Sequence, residues 1–351
     1  MRRRHFLATG VSAAVLAGPL SACSETGPPL AVTTPTRGLD TALAAQAIAR
    51  ARALPKLHAL IVSRDGTPLV EERIRGEDLD TPVNIKSASK SVLAAVTGSA
   101  IGAGILSGVD QAVAPFLSDR FPAAADPRLQ QITVGDLLSM RAGLASTSGG
   151  NYGAWVSSPN WVRYVLAQPF ETRPGQTLIY STGTSHLTSA VLTAASGQST
   201  LALTRRFVGE PLGLTVPPWL ADPQGIYFGG NEMRLSPRAL LAFGELYRND
   251  GVVNGVRVLP EGWVESSWER RGTSRFTGDR HGYGWWIRNV RDHDVFYAWG
   301  YGGQMVFVVP DLRLTVVMTS DPTPVEARDG HVQALHALMA DGFIPAAERG
   351  A

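Results

Sequence analysis

The sequence predicts an α+β chain: an antiparallel sheet flanked by helices, with a second, mainly helical region inserted into it. Three observations carry this. Leu57 to Ile74 alternates apolar and polar residues about Asp65-Gly66, a hairpin signal. Four short runs rich in aromatic and β-branched residues (Gly282–Val290, Val295–Trp299, Met305–Val309 and Leu314–Thr319) are separated by Gly, Asp and Pro and read as consecutive antiparallel strands. Between these two sets the chain is dominated by helical patterns. Strands at both ends and helices between and beside them imply a sheet packed against helices. At 351 residues and 44% hydrophobic content the chain can bury a large core, and no repeat period is visible.

Taken in order, the first residues stand apart from the fold. Met1 to Leu7 is basic, with Arg2, Arg3 and Arg4 giving a twin-arginine look, and an apolar run from Ala8 to Leu20 follows. That run is too short for a permanent membrane span and fits an export signal. It ends in Leu20-Ser21-Ala22-Cys23, which resembles a bacterial lipobox, so residues 1–23 are expected to be a signal peptide with lipidation at Cys23. The protein would then be exported and held at the cell envelope by a lipid anchor. Cys23 is the chain's one cysteine, which excludes a disulfide and a thiol nucleophile. Loss of the three arginines takes the formal net charge from +2 to −1, and nothing in the balance points to nucleic acid. Residues 24–38, rich in Pro, Thr and Gly, read as a tether.

Leu39 to Leu54 is an Ala-rich helix, followed by the hairpin. Asn84 to Val96 then reads as an extended end running into a long apolar helix that continues to about Ile105. Ser107 to Val113 is a turn before a short helix. Thr133 and Asp136 fit a capping box for a helix within Ile132–Met140. Further helices are expected over Asn160–Gln168, Ser185–Ala195, Ser236–Arg248 and Ala327–Met339. The folded part is thus 39–345, with a sheet region at 39–85 and 228–345 and a helical region at 86–227.

The chemistry centres on Ser87 and Lys90. On a helix, positions i and i+3 share a face, so the amine can reach the hydroxyl. Serine is a weak nucleophile until a base takes its proton, and a lysine whose pKa is lowered by burial can be that base. Free N–H groups at the helix start can stabilise an oxyanion. A serine at a helix start is otherwise an ordinary cap, so further motifs must decide.

Ser87-Ala88-Ser89-Lys90, Tyr180-Ser181-Thr182 and Ala298-Trp299-Gly300 follow one another in the order of the Ser-x-x-Lys, Tyr-x-Asn and Lys-Thr-Gly motifs. The chain from about residue 40 to 345 thereby resembles the penicillin-recognising serine hydrolases: class C β-lactamases, DD-peptidases, family VIII esterases and 6-aminohexanoate-dimer hydrolases. The resemblance implies a β-lactamase/transpeptidase-like fold and an acyl-enzyme formed on Ser87. Tyr180 would join Lys90 in the general-base system, its phenolate favoured by the lysine. The N–H of Tyr301 would pair with that of Ser87 as the oxyanion hole. Tyr152 and Trp286, with Trp285 close behind, would line the acyl pocket. Thr182, Trp299 and Gly300 would contact substrate, Gly300 by allowing it close to the strand.

Two departures from the pattern bear on substrate. Ala298 and Trp299 stand where the family has the Lys and Thr that bind a substrate carboxylate, and Thr182 replaces the Asn amide. An ester or linear amide is therefore expected rather than a β-lactam or peptidoglycan stem, with β-lactamase or DD-peptidase action as the alternative. A non-catalytic binding or sensing protein on the same scaffold is the other alternative. The resemblance implies no cofactor and no metal. Asp292-His293-Asp294 reads as a solvated turn, and His186, although close to the Tyr180 motif, needs no catalytic role. The absence of Gly-x-Ser-x-Gly disfavours an α/β-hydrolase.

Overall fold

A computed structural model describes residues 38–323 and 330–350. The expected signal peptide, Cys23 and all of the tether except Gly38 lie outside them, as does the start of the helix expected from Ala327. An eight-stranded antiparallel sheet organises the described residues. Its strands are β1 (Leu57–Arg64), β2 (Thr67–Arg73), β3 (Gly272–Thr273), β4 (Arg280–His281), β5 (Trp286–Val290), β6 (His293–Gly300), β7 (Gln304–Val309) and β8 (Leu314–Ser320). Their order is β2-β1-β8-β7-β6-β5-β4-β3. The N-terminal hairpin pairs with the last strand, Leu60 opposite Met318 and Ile61 opposite Val317, so the first and last strands of the described residues lie side by side inside the sheet. The helical region enters and leaves between β2 and β3.

Because side chains alternate along a strand, each central strand feeds two cores. Leu60, Val62, Phe307 and Val316 pack with α1 (Thr41–Ala53) and α5 (His331–Leu338) on one face. Ile61, Val306, Val308 and Val317 pack on the other face with α2 (Ser89–Gly102) and α4 (Pro237–Arg248). Each such fully buried aliphatic side chain contributes about 1.5–3 kcal/mol of transfer free energy. Helix α2 is buried continuously from Ser89 to Ala100, the pattern of a helix enclosed on all sides. A further long helix, α3 (Thr182–Ser196), packs against α2 within the helical region.

Local chemistry sets most boundaries. Asp40 caps α1 by accepting from the amides of Ala42 and Leu43, and the Thr133/Asp136 capping box forms in full. Ser236 caps α4, and Pro237 occupies its first turn. Helix α3 begins at Thr182, three residues before the sequence pattern places it, because Ser181 accepts from the Thr184 amide. The strand expected from Gly282 begins only at Trp286. Gly284, at φ +74°, turns there against α2, where a Cβ would lie 2.7 Å from the Lys90 carbonyl oxygen. The turn at Arg291 and Asp292 has positive φ at both residues, as a tight hairpin requires. His293, placed in that turn by the sequence reading, instead opens β6 and bonds Glu348 at 3.2 Å.

Candidate active site

The turn that carries Ser87 is built under constraint. Val83–Asn84 pairs with Arg234–Leu235 in a two-stranded ladder, delivering the chain to Ile85, which is fully buried. Lys86 follows in the left-handed region at φ +49°, a conformation that costs about 1–3 kcal/mol for a non-glycine residue. Three bonds among Asn84, Lys86 and Glu232 hold it. Asn84 Oδ1 accepts from the Lys86 amide at 2.9 Å, Asn84 Nδ2 donates to Glu232 Oε2 at 2.7 Å, and Lys86 Nζ reaches Glu232 Oε1 at 3.1 Å. This reversal puts Ser87 in a 3-10 turn, Lys86–Ala88, so α2 starts at Ser89 rather than at the serine itself.

Lys90 lies one turn on, 4% exposed, with Nζ 3.0 Å from Ser87 Oγ. It also donates to the Gly230 carbonyl at 2.6 Å. Burial lowers its pKa to about 7. The Tyr180 ring centroid is 5.1 Å from the amine. Burial pushes the Tyr180 phenol up to about 12, against the opposing effect of its hydrogen bond to Ser87. The expectation of a favoured phenolate is thereby corrected: desolvation outweighs the Ser87 hydrogen bond, and the phenol is neutral near pH 7. A free amine on the serine hydroxyl, beside a neutral phenol, can take a proton from one and supply a proton from the other.

Ser87, Tyr180, Trp286, Trp299 and Tyr301 line one cleft of about 660 Å³. Trp286 stacks on Tyr180 with centroids 5.8 Å apart, and Trp299 lies 6.1 Å beyond Trp286. Leu178 and Phe276 add apolar surface, while Arg275 and Glu171 are the charged groups of its lining. Phe276, at the tip of the loop between β3 and β4, is 97% exposed. Ala298 is buried against the α2 side of the core, so the position that carries a lysine in the family pattern presents no charge.

Other residues named from the sequence lie elsewhere. Tyr152 is not among the lining residues; its hydroxyl accepts from Asn231 Nδ2 at 2.9 Å and its ring stacks on Phe228 within the helical core. Trp285 is fully buried against Phe243 and Tyr247. Thr182 is buried, and its amide donates to Ser148 Oγ at 2.8 Å. Gly300 does admit a close backbone approach, but the backbone is the protein's own: a Cβ there would sit 2.2 Å from the Ile85 carbonyl oxygen. The end of β6 thus docks on the turn that carries Ser87, and Tyr301 follows directly at the cleft, 47% exposed.

Several residues of the site had no sequence signal. Ser146 and Ser148 line the cleft and tie it to α3; Ser146 Oγ donates to the Tyr180 carbonyl at 2.7 Å. Only the hydroxyl-rich run Ser146-Thr147-Ser148 could have drawn attention to them. His281 is fully buried edge-on to Trp286, with Nδ1 unpaired; burial and the Lys90 charge lower its pKa to about 3. Its place beside the lysine arises from β4, a two-residue strand with no readable period.

A family model described as Beta-lactamase matches residues 52–338. The chain belongs to the beta-lactamase family. Solved structures of the same fold include a D-stereospecific amidohydrolase from Streptomyces sp., 17% identical over 85% of this chain and 98% of that one, with a TM-score of 0.65. The hydrolase EstCE1, with promiscuous acyltransferase activity, is 18% identical over 85% and 96%, TM-score 0.66. The octameric penicillin-binding protein homologue from Pyrococcus abyssi is 17% identical over 85% and 76%, TM-score 0.65. No curated protein matches the chain. These likenesses bear out the β-lactamase/transpeptidase-like fold class.

The junction at Gly300 gives a direct test. Gly300→Ala drives a methyl into the Ile85 carbonyl and is expected to cost about 1–3 kcal/mol in urea unfolding. Gly153→Ala, where nothing lies within 4 Å of the added carbon, is expected to be neutral or slightly stabilising. Equal stability of the two variants would contradict a tight docking of β6 on the nucleophile turn.

Proposed function

We propose that this member of the family is a serine hydrolase that cleaves an ester or linear amide through an acyl-enzyme on Ser87. The observation that carries the reading is the buried Lys90 amine 3.0 Å from the Ser87 hydroxyl, with its pKa lowered to about 7. Lys90 takes the hydroxyl proton as Ser87 attacks the substrate carbonyl. The resulting oxyanion rests on the N–H groups of Ser87 and Tyr301. The neutral Tyr180 phenol passes a proton to the leaving group and is reprotonated from Lys90. Water then attacks the ester with the same groups in reverse, releasing the acid and Ser87. The apolar lining and the absence of a lysine at Ala298 support an acyl group without an essential carboxylate. We further propose export and anchoring at Cys23, which Cys23→Ala should abolish in a membrane-fractionation assay.

Intact-mass spectrometry after a p-nitrophenyl ester, and separately after a penicillin, tests the reading, with Ser87→Ala beside both. An ester-derived adduct that Ser87→Ala loses is the expected result. An adduct with penicillin instead would favour β-lactamase action, and no adduct with either would favour a binding protein. The pH dependence follows from the amine. Only unprotonated Lys90 can accept the serine proton, so kcat/KM for a neutral ester should rise with pH through a midpoint near 7. A profile flat from pH 5 to 9 would exclude Lys90 as the base. Trp299→Ala should raise KM for a bulky apolar acyl ester roughly tenfold and change acetyl ester hydrolysis less; equal effects on both esters would remove Trp299 from the acyl pocket.

A further inference from the structure

His186 and Asp222 lie outside the cleft and take no part in the steps above, yet both are fully buried and bonded to one another, Nε2 to Oδ2, at 3.1 Å. The other ring nitrogen accepts from the Gly229 amide at 3.2 Å. A backbone N–H can only donate, so Nδ1 carries no proton and Nε2–H is the donor to Asp222. The carboxylate is fully served: its Oδ1 accepts from the Gln224 amide at 2.9 Å and the Ile226 amide at 2.8 Å. Burial opposes ionisation of Asp222, but these bonds outweigh it and hold its carboxyl below the usual carboxylate range. Trp155, Trp161 and Phe228 pack edge-on against the imidazole, fixing its plane.

What this pair holds is the segment that holds the base. Gly229 lies flat on α3, where a Cβ would meet the Ser185 carbonyl oxygen at 2.6 Å and His186 Cα at 2.8 Å. The next residue, Gly230, is at φ +91°, a Cβ there would lie 2.8 Å from Lys90 Cγ, and its carbonyl accepts from Lys90 Nζ. A continuous chain of contacts therefore runs from Asp222 through His186 and Gly229 to Gly230 and the amine. Well-packed apolar residues would fill the same volume without a buried charge, and such replacements are often neutral or stabilising. A fully bonded pair adds direction: it fixes where the Gly229 N–H, and hence the Gly230 carbonyl, points.

We propose that His186 and Asp222 are positioning residues that set the place of Lys90 on Ser87 through the Gly229-Gly230 turn. The inference rests on the reading of Lys90 as the base of a serine hydrolase. Facing Lys90 are Ser87, the Tyr180 ring and, from β4, His281. Released from Gly230, the amine would be open to water, its protonated form would be favoured, and it would lose its alignment with the hydroxyl.

Two variants of matched polarity separate positioning from filling. His186→Asn places an oxygen where Nδ1 accepts from Gly229, whereas His186→Gln retains a donor toward Asp222 and loses that acceptor. The chain has three lysines, Lys56, Lys86 and Lys90, so NMR of Nζ-adjacent carbons in the 13C-lysine-labelled full-length protein can follow Lys90 directly. Fluorophosphonate labelling of Ser87 at pH 7 is measured in parallel. His186→Gln is expected to raise the Lys90 midpoint by about one pH unit and slow labelling at pH 7 roughly fivefold, the loss of free amine that such a shift implies from a midpoint near 7. His186→Asn should stay within about twofold of the unaltered protein. Equal midpoints and equal labelling in both variants would overturn the inference and leave the pair a core element. A Lys90 shift confined to His186→Gln, in a protein whose Ser87 never labels, would sustain the positioning role while refuting the hydrolase reading.

Discussion

The site depends on a backbone contact between two distant parts of the chain. The end of β6 lies so close to the Ile85 carbonyl that only glycine fits at position 300. That contact places Tyr301 beside the turn that carries Ser87, and it joins the sheet to the helix around which the helical region packs. Both partners are rigid. Ile85 is buried, Lys86 is held in a left-handed conformation by Asn84 and Glu232, and β6 sits inside the sheet between β5 and β7. Rigid supports matter because displacements of about 1 Å in a reacting geometry can cost on the order of a hundredfold in rate.

Burial does the electrical tuning. Lys90, Tyr180 and His281 all lie away from water, and each is driven toward its neutral form, the amine and imidazole downward and the phenol upward. A cluster of neutral donors and acceptors around a serine can move one proton without first parting an ion pair. The carbonyl of Gly230 supplies the amine with a partner that does not demand a charge. Around this polar point Leu178, Phe276, Trp286 and Trp299 give the cleft apolar surface, with Arg275 and Glu171 as its charged lining.

Much of this was legible in the sequence, for identifiable reasons. Ser87 and Lys90 stood out because i, i+3 spacing links nucleophile and base, Tyr180 followed from the ordered motifs, and Trp286 was placed by the family resemblance. The hairpin, the β6–β8 meander and the capped helices were readable from alternation and capping residues. What could not be read was long-range. Gly300 is recognisable as a close-approach glycine, but whether substrate or Ile85 approaches it is decided by tertiary packing. Tyr152 was placed in the cleft by resemblance, whereas Asn231 draws its hydroxyl into the helical region. The strands Gly272–Thr273 and Arg280–His281 are too short for any period, so Phe276 and His281 went unnoticed. The direction of the Tyr180 shift needed its burial, which no local pattern records.

The most direct test of the account is a crystal structure of the protein after reaction with a small alkyl fluorophosphonate. The account predicts a phosphonyl group on Ser87 Oγ whose phosphoryl oxygen lies about 2.7–3.1 Å from both the Ser87 and Tyr301 amide nitrogens, the distance expected of oxyanion donors. It also predicts Lys90 Nζ still on the Gly230 carbonyl. An adduct on another residue, or a phosphoryl oxygen turned away from the Tyr301 amide, would contradict the claim that docking β6 on the nucleophile turn assembles the site.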